Sequence, residues 1–264
     1  MKQTIYKTLE EIELMRESAL LVSKTLEMLV GELAPGITPK YLDQLAEEFI
    51  RDHQAVPGFL GLYGCPSTLL TSVNEQVVHG LPTDRPLESG DIIAIDCGVL
   101  KNDFYGDHAY TFAIGEVAPE LLKLLQVTKE ALYLGIEQAI VGNRIGDIGH
   151  AIQTHAEKHG YGVVREMTGH GLGRALHEGP EVPNFGRPSR GKKIKNGMTI
   201  AIEPMLNLGT HKVKTLSDGW TIVTRDGLGS AHFEHNIAIV DGKADVLSSF
   251  EGIDQAIKEK KVLS

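Results

Sequence analysis

The sequence is poor in the residues that mark secreted, disulfide-bonded and membrane proteins. It has two cysteines, Cys65 and Cys97, among 264 residues. Two are too few for a disulfide framework, so free thiols in a reducing compartment are the simpler interpretation. No apolar run approaches the ~18 residues that cross a bilayer. Because the opening stretch MKQTIYKTLEEIE lacks the apolar core of a signal peptide, we expect a cytoplasmic protein.

Positive charge is also scarce. The chain has 26 Lys and Arg against 35 Asp and Glu, a formal net charge of −9. This balance argues against DNA or RNA as a bulk partner, because a phosphate-binding face needs an excess of basic residues. One stretch departs from it: RPSRGKKIKNG, at 187–197, has five basic residues in eleven. That stretch is either a solvated charge run or a local contact for RNA.

The pattern of apolar residues predicts four helices and eight strands. Thr8 to Glu11 has the form of a capping box and begins a helix that runs to about Gly31. Thr38 and Pro39, a cap residue and a first-turn proline, begin a second. Two more cover about 118–141 and 147–159. The predicted strands are 68–72, 76–79, 92–99, 105–114, 162–167, 198–203, 220–224 and 232–240.

This arrangement favours an α+β fold, because strands and helices fall in separate regions rather than alternating. The chain has no Ser- or Pro-rich linker, so we expect a single domain over residues 1–264. Its first 70 residues then supply helices and a pocket segment.

A weak internal repeat indicates two related halves. SGDIIAIDCG at 89–98 aligns without gaps with NGMTIAIEPM at 196–205, and Asp96 falls on Glu203. Both copies end an apolar strand on a carboxylate. Chance similarity between two Ile-Ala strands is one interpretation. The other is a pseudo-symmetric fold in which each half brings an acid to a shared centre.

Asp96 and Asp107 stand in two strands that otherwise look buried. A two-residue turn at Lys101-Asn102 would set them directly opposite each other on one face. Like charges so placed repel, and an apolar setting penalises both. A shared proton, a basic partner or a metal cation would relieve the repulsion. Alternatively, the register differs and one aspartate is exposed to solvent.

Further polar residues in apolar surroundings favour a metal. Glu203 closes TIAIE, and Glu234 lies in AHFEHNIAIV. TGHGLGRALHEGP contributes His170 and His177, and His79 stands in VVHGLP. Carboxylates with one imidazole suit Mn, Fe, Co or Zn. Four carboxylates carry more charge than one divalent ion balances, whereas two ions about 3.5–4 Å apart would match them and would activate water for hydrolysis.

The ordered set of Asp96, Asp107, His170, Glu203 and Glu234 resembles the metal ligands of the methionine aminopeptidase and prolidase family, which has the pita-bread fold. The motifs NEQVVHGLP, DCGVLKNDFYGDHAYTF, MTGHGLGRALHEGP, NGMTIAIEP and FEHNIAI narrow the resemblance to methionine aminopeptidases of the short bacterial type. It covers nearly the whole chain. It implies two related αβ halves around a curved antiparallel sheet flanked by helices.

The resemblance also implies an activity and a role for each ligand. The enzyme would remove the initiator methionine from nascent proteins with a small second residue, by attack of a hydroxide held between two divalent ions (Co, Mn, Fe, Zn or Ni). Asp96 would bind one ion, and His170 and Glu203 the other. Asp107 and Glu234 would bridge both. Glu203 would also carry the proton.

Further site residues follow from the same resemblance. His177 would hydrogen-bond the scissile carbonyl oxygen, and His79 the nitrogen of the leaving side. Family positions that form the methionine pocket map onto apolar and aromatic residues, each of which could equally be ordinary core. They are Phe59, Leu62, Tyr63, Cys65, Leu70, Leu176 and Trp220.

Departures from the family pattern and possible partners complete the expectations. His232 stands where the family usually has glutamine, and it could bond or tune Glu234. We expect His108 and His235 to point away from the ligands and Cys97 to be no ligand. The resemblance favours a monomer, with nascent-chain N-termini as substrates and possible ribosome contact through 187–197.

Two alternative functions stay open. One is a Xaa-Pro aminopeptidase or prolidase-type peptidase with the same five ligands, although those enzymes usually carry an added N-terminal domain. The other is a non-catalytic binding protein on the same fold, although such relatives lose ligands and this sequence retains all five.

Overall fold

The structure, a computed structural model, describes residues 3–263 and contains five α-helices and one short 3-10 helix (Leu62–Gly64) within that range. None of the helices within residues 3–263 is long and apolar enough to cross a membrane. The α-helices are α1 (Leu9–Val30), α2 (Pro39–Asp52), α3 (Pro119–Glu137), α4 (Ile145–Lys158) and α5 (Glu251–Leu263).

The predicted starts of the first two helices are confirmed by their caps. The Thr8 hydroxyl accepts a hydrogen bond from the Glu11 N–H, and the Glu11 carboxylate accepts one from the Thr8 N–H. Thr38 caps α2, with Pro39 in its first turn. The third helix ends at Glu137, earlier than predicted. Helix α5 was not predicted.

The strands in residues 3–263 number fifteen, and every pairing between them is antiparallel. They are β1 (Val56–Pro57), β2 (Leu69–Val73), β3 (Gln76–Val78), β4 (Ile92–Lys101), β5 (Phe104–Ala113), β6 (Gly162–Val163), β7 (Gly169–Gly171), β8 (Glu178–Val182), β9 (Thr199–Ile202), β10 (Met205–Asn207), β11 (Val213–Thr215), β12 (Ile222–Thr224), β13 (Ser230–His232), β14 (His235–Val240) and β15 (Lys243–Val246).

The two largest sheets come from the two halves of the chain. In the first, β4 is paired with β1, β2 and β5; the second has the order β15-β14-β9-β7-β8. The repeated segments supply one strand to each, β4 and β9. The matching glycines Gly90 and Gly197 precede these strands with φ of 103° and 80°, a region that favours glycine. This equivalence supports the interpretation of two related halves.

The register of the β4–β5 hairpin differs from the predicted one. Lys101 pairs with Phe104, so the turn is Asn102-Asp103, whose φ values are 52° and 63°. Asn and Asp tolerate this left-handed backbone better than Lys does, which explains why the turn lies one residue later. Asp96 therefore faces Ala109, and Asp107 faces Gly98. The two aspartates are diagonal neighbours on one face rather than directly opposed.

The predicted strand 232–240 is interrupted. Residues 230–232 pair with β10, whereas residues 235–238 pair with β9. Phe233 and Glu234 lie in the break between β13 and β14. The side chain of Phe233 is buried in the core, and Glu234 is left at the junction of two sheets.

One apolar core joins the helices to both of the larger sheets. It includes α1, α2 and β4 as well as α3, α4 and β9, so the two halves share buried surface. Representative side chains, all inaccessible to solvent, are Leu26, Leu42, Ile95, Val127, Ile148, Ile200, Ile237 and Ile253. A close-packed core of this kind holds the ends of the strands firmly in place.

Candidate metal centre and its apolar pocket

One pocket is lined by fifteen residues, and fourteen of them are the ones singled out from the sequence for ligand or substrate roles. Val78 is the further member. Its place directly before His79 at the end of an apolar strand was the available signal. The lining residues are Phe59, Leu62, Tyr63, Cys65, Leu70, Val78, His79, Asp96, Asp107, His170, Leu176, His177, Glu203, Trp220 and Glu234.

The five predicted ligands come from both halves of the chain. Asp96 and Asp107 lie within β4 and β5, His170 lies in β7, and Glu203 follows β9 directly. Glu234 occupies the break before β14. Because β4 and β9 are the repeated strands, each half contributes its acid at the equivalent point. The pseudo-symmetric interpretation of the repeat accounts for this placement.

His170 lies between two of the carboxylates. Its Nε2 is 3.6 Å from Asp107 Oδ2 and 3.7 Å from Glu203 Oε1. Its Nδ1 lies 3.0 Å from the Gly171 carbonyl oxygen. A carbonyl can only accept, so Nδ1 carries the proton and donates. In the neutral ring, this leaves the Nε2 lone pair directed at the acids, the tautomer that binds a metal.

The four acids are buried together. Asp96 and Glu203 are each 9% exposed, Asp107 4% and Glu234 2%. Burial, reinforced by the charge of Asp107, raises the pKa of Asp96 and of Glu234 well above the usual range. Burial also raises the pKa of Glu203 to about 8, although His170 opposes the change. In all three cases burial penalises the ionised carboxylate more than the neighbouring groups stabilise it.

The donor atoms fit a divalent cation. Oδ1 of Asp96, Oδ1 of Asp107 and Oε1 of Glu234 are buried without a hydrogen-bond partner among the described residues. Ligand atoms of Asp107, His170 and Glu234 all lie within 4.8 Å of one another. Buried oxygen atoms need a partner, and a cation is the partner that also removes the repulsion. One imidazole among carboxylates favours transition ions.

Buried side chains behind the predicted ligands hold their backbone in place, and the sequence did not predict these contacts. The Asn236 Oδ1 atom accepts from the Asp107 N–H at 2.6 Å, and Asn184 donates to the Glu203 carbonyl at 2.9 Å. His108 donates through Nδ1 to the Glu234 carbonyl. Asn236 stands within FEHNIAI, two residues past a ligand. No motif in the sequence marks Asn184, because its hydrogen bond joins the segment after β8 to the residue that follows β9.

Two further histidines flank the acids. His79 has a left-handed backbone, with φ of 61°, a strained conformation that recurs at functional sites. Burial lowers its pKa, with Asp107 acting in the opposite direction, so a neutral ring is favoured. The ring of His177 packs edge-on against His170 at 4.4 Å between centroids, and it also stacks with the ring of Tyr63 at 5.7 Å.

The rest of the pocket is apolar. Phe59, Cys65, Leu70 and Leu176 are all at least nine-tenths buried and form one cluster, against which Leu62 and Trp220 pack. Tyr63 differs from them, because it is 70% exposed at the rim. A closed apolar wall beside a polar centre binds an apolar side chain and orients the attached polar group.

The remaining predicted neighbours lie as follows. His108 is fully buried, and its ring stacks on His235 at 5.0 Å. Neither lines the pocket, nor does Cys97, as expected. His232 has a different neighbour from the predicted one: its Nε2 is 3.8 Å from Glu203 Oε2, because β13 pairs with β10 just beyond Glu203. Burial lowers the pKa of His232 to about 3.

A carboxylate-rich cation site at the floor of an apolar pocket defines a metal-dependent hydrolase. The sequence model of metallopeptidase family M24 matches residues 13–241. The methionine aminopeptidase of Clostridium acetobutylicum is 50% identical over 248 residues, covering 94% of this chain and 99% of that protein. The methionine aminopeptidase 1 of Bacillus subtilis is 48% identical over 244 residues, which are 92% of this chain and 98% of that protein.

The fold is also shared with solved structures. The crystal structure of methionine aminopeptidase from Rickettsia prowazekii matches with a TM-score of 0.92 at 39% identity, covering 94% of this chain and 100% of that chain. The chain therefore belongs to metallopeptidase family M24, and its two related halves form the pita-bread fold. The predicted family and fold class are confirmed.

Replacing Asp107 by Asn should stabilise the metal-free protein while abolishing metal binding. The charge of Asp107 raises the pKa of Asp96, Glu203 and Glu234, so its removal relieves repulsion worth about 1–3 kcal/mol. In the presence of a chelator, we expect the variant to melt at least about 2 °C higher than the wild type. Added metal should raise the melting temperature of the wild type but not that of the variant.

The stability that Asp107→Asn gains over the wild type should grow with pH between 4.5 and about 8, which are the ordinary and the raised pKa of Glu203. In that range the folded state binds more protons than the unfolded one, so wild-type stability falls as pH rises. Asp84→Asn, in an exposed ion pair with Lys40, is the control and should change stability little. A destabilised Asp107→Asn protein that still binds metal normally would contradict the assignment.

Proposed function

We propose that this chain is a methionine aminopeptidase that removes the N-terminal methionine from proteins with a small second residue. The observation that carries the proposal is the meeting of an apolar pocket and the buried acid cluster in one cavity. The chain's similarity to methionine aminopeptidases, at 50% identity over more than nine-tenths of its length, supports it. We further propose that residues 1–264 act as a single catalytic domain.

The acid cluster would hold two divalent ions. Asp96 would bind one of them, His170 and Glu203 the other, and Asp107 and Glu234 would bridge both. Four buried carboxylates support two ions, because one divalent charge leaves two negative charges uncompensated. Bound divalent ions lower the pKa of a coordinated water toward neutrality and polarise a carbonyl. Cobalt, manganese, iron, zinc and nickel all suit this donor set.

The chain's own groups would orient the peptide. The methionine side chain would enter the pocket and pack against its apolar wall, formed by Phe59, Cys65, Leu70 and Leu176. The scissile bond would then lie beside the acids. His177 would donate a hydrogen bond to the scissile carbonyl oxygen, where negative charge develops. His79 would contact the nitrogen of the leaving side.

Glu203 would carry the proton. Its carboxylate faces His170 Nε2 at 3.7 Å and also lines the pocket, so it lies between the ligand cluster and the substrate. A carboxylate there can accept a proton from the attacking water and deliver it to the departing amine. The near-complete burial of Glu203 keeps bulk water from competing for that proton.

Cleavage of short peptides tests the proposal against its alternatives. With added Mn or Co, we expect release of methionine from Met-Ala-Ser and no cleavage of Ala-Pro-Ala, since the pocket accepts one apolar side chain. Preferential cleavage of Ala-Pro-Ala would indicate the Xaa-Pro peptidase instead. A metal-loaded protein that cleaves neither peptide would indicate a binding protein on the same fold.

Alanine at His177 or at His79 should lower turnover without releasing metal. Loss of a transition-state donor costs about 10²–10³-fold in kcat, whereas the five ligands remain in place. Metal content by elemental analysis and kcat with Met-Ala-Ser are the measurements. The exposed His53 serves as the control, since His53→Ala should leave both unchanged. Loss of metal from His79→Ala would make it a ligand and overturn its assigned role.

The basic stretch 187–197 would contact the ribosome in a cytoplasmic, monomeric enzyme. Its five basic side chains are exposed, and the stretch is anchored where Arg144 donates to the Gly191 carbonyl at 2.8 Å.

Neutralising the three lysines 192, 193 and 195 to Gln should weaken ribosome pelleting and reduce its salt slope by about two to three. Equivalent changes at the exposed lysines 40, 123 and 243 are the control. An unchanged slope would mean that the charge is only solvated.

A further inference from the structure

An ion pair is buried beneath the loop that carries His177. Lys7 Nζ lies 2.6 Å from Glu178 Oε2, and the two side chains are only 2% and 6% exposed. Glu178 follows His177 directly in sequence and begins β8. Lys7 comes from the segment before α1, 171 residues away. The pair therefore connects the start of the chain to the edge of the pocket.

The loop from Gly171 to Glu178 is folded around this pair. The Glu178 Oε1 atom accepts from the Ala175 N–H at 3.3 Å, and the Gly173 N–H donates to the Ala175 carbonyl at 3.1 Å. A Cβ on Gly173 would lie 2.3 Å from Lys7 Cε and 2.7 Å from Glu178 Oε1. A larger residue at this position would push the Lys7 ammonium group and the Glu178 carboxylate from where they lie. The loop backbone is thus shaped by the charged pair as well as by its own hydrogen bonds.

The N-terminal segment has further ties to the same region. The Lys7 N–H donates to the Gly197 carbonyl at 2.7 Å, and the Gly179 N–H donates to the Gln3 carbonyl at 3.1 Å. Thr4 also bridges to Gly179. These backbone bonds hold the segment beside β8 independently of charge. The side chain of Lys7 is what reaches beneath the loop.

Stability alone is a poor explanation for the pair. Burying two charges costs several kcal/mol per ion, and well-packed apolar replacements are often neutral or stabilising. What the pair does supply is a fixed geometry at the residue next to His177. A hydrogen-bond donor in an active site must be held to within about 0.5 Å.

We propose that Lys7 and Glu178 are positioning residues for His177. The buried pair fixes the loop so that the His177 ring lies against His170 and Leu176 closes the apolar wall. This inference rests on the proposed role of His177 as a donor to the scissile carbonyl. Since the effect is on orientation, it should appear in kcat far more than in KM or in metal content.

The test is a double variant, Lys7→Met with Glu178→Gln, that removes both charges at similar volume and leaves no orphan charge. We expect kcat with Met-Ala-Ser to fall at least about 10-fold, with KM within about threefold and metal content unchanged. In a His177→Ala background the same double change should cause little further loss, because residues that act through one group are not additive. A purely structural pair would reduce kcat equally in both backgrounds.

A matched control removes an ion pair remote from the pocket. Arg16 Nη2 lies 2.6 Å from Asp245 Oδ2, linking α1 to β15, and neither residue lines the pocket. Arg16→Met with Asp245→Asn should leave kcat unchanged. If the buried double variant fails to fold, Glu178→Asp keeps the charge and shortens the side chain, and it should show the same fall in kcat.

Three kinetic results would overturn the inference. These are an unchanged kcat in a folded double variant, an equal loss in the His177→Ala background, and an unchanged kcat in Glu178→Asp if only that variant folds. Inactive wild-type protein would instead refute the proposed function. Crystal structures test the positioning without turnover, because the ring of His177 should leave its place against His170 in the variant. A ring that stays in place overturns the inference whatever the activity.

Discussion

One repulsive interaction constrains the rest of the structure. Four carboxylates from both halves of the chain meet in a buried space where burial and mutual charge raise the pKa of Asp96, Glu203 and Glu234. Left alone, such a cluster destabilises the fold, so the energy that holds it must come from elsewhere. The core shared by the helices and both larger sheets supplies that energy. The cluster in turn gives the protein its affinity for cations.

Groups of the acid cluster are held firmly by hydrogen bonds to their ring or backbone. The His170 ring is oriented through Nδ1 by the Gly171 carbonyl, while Asn236 and Asn184 bond the backbone at Asp107 and Glu203. These contacts keep the acids converged in spite of their repulsion. The apolar wall lines the same pocket as the acids, so under the proposed function a bound side chain would bring its peptide bond to them. Rigid placement of this kind lowers the entropic cost of reaction.

Local features of the fold were predictable, and long-range ones were not. The caps at Thr8 and Thr38 depend on residues three positions apart, and α1 and α2 begin as predicted. The predicted turn between β4 and β5 was wrong by one residue, because Asn102-Asp103 adopts the left-handed backbone. Its consequence for function was small: a shift of two in the pairing keeps Asp96 and Asp107 on one face. Helix α5 went unpredicted, and its packing beside α1 is a long-range contact.

The sequence by itself determined the chemistry of the site: which carboxylates and histidines are present, and which apolar strands carry them. Strand periodicity and motif spacing are local properties, so they can be recognised in the sequence without a structure. Tertiary structure decided which of these residues contact one another. His232 lies nearest Glu203 among the carboxylates it approaches, and Lys7 reaches Glu178 across 171 residues. Such contacts depend on the packing of whole sheets and helices, which no single segment specifies.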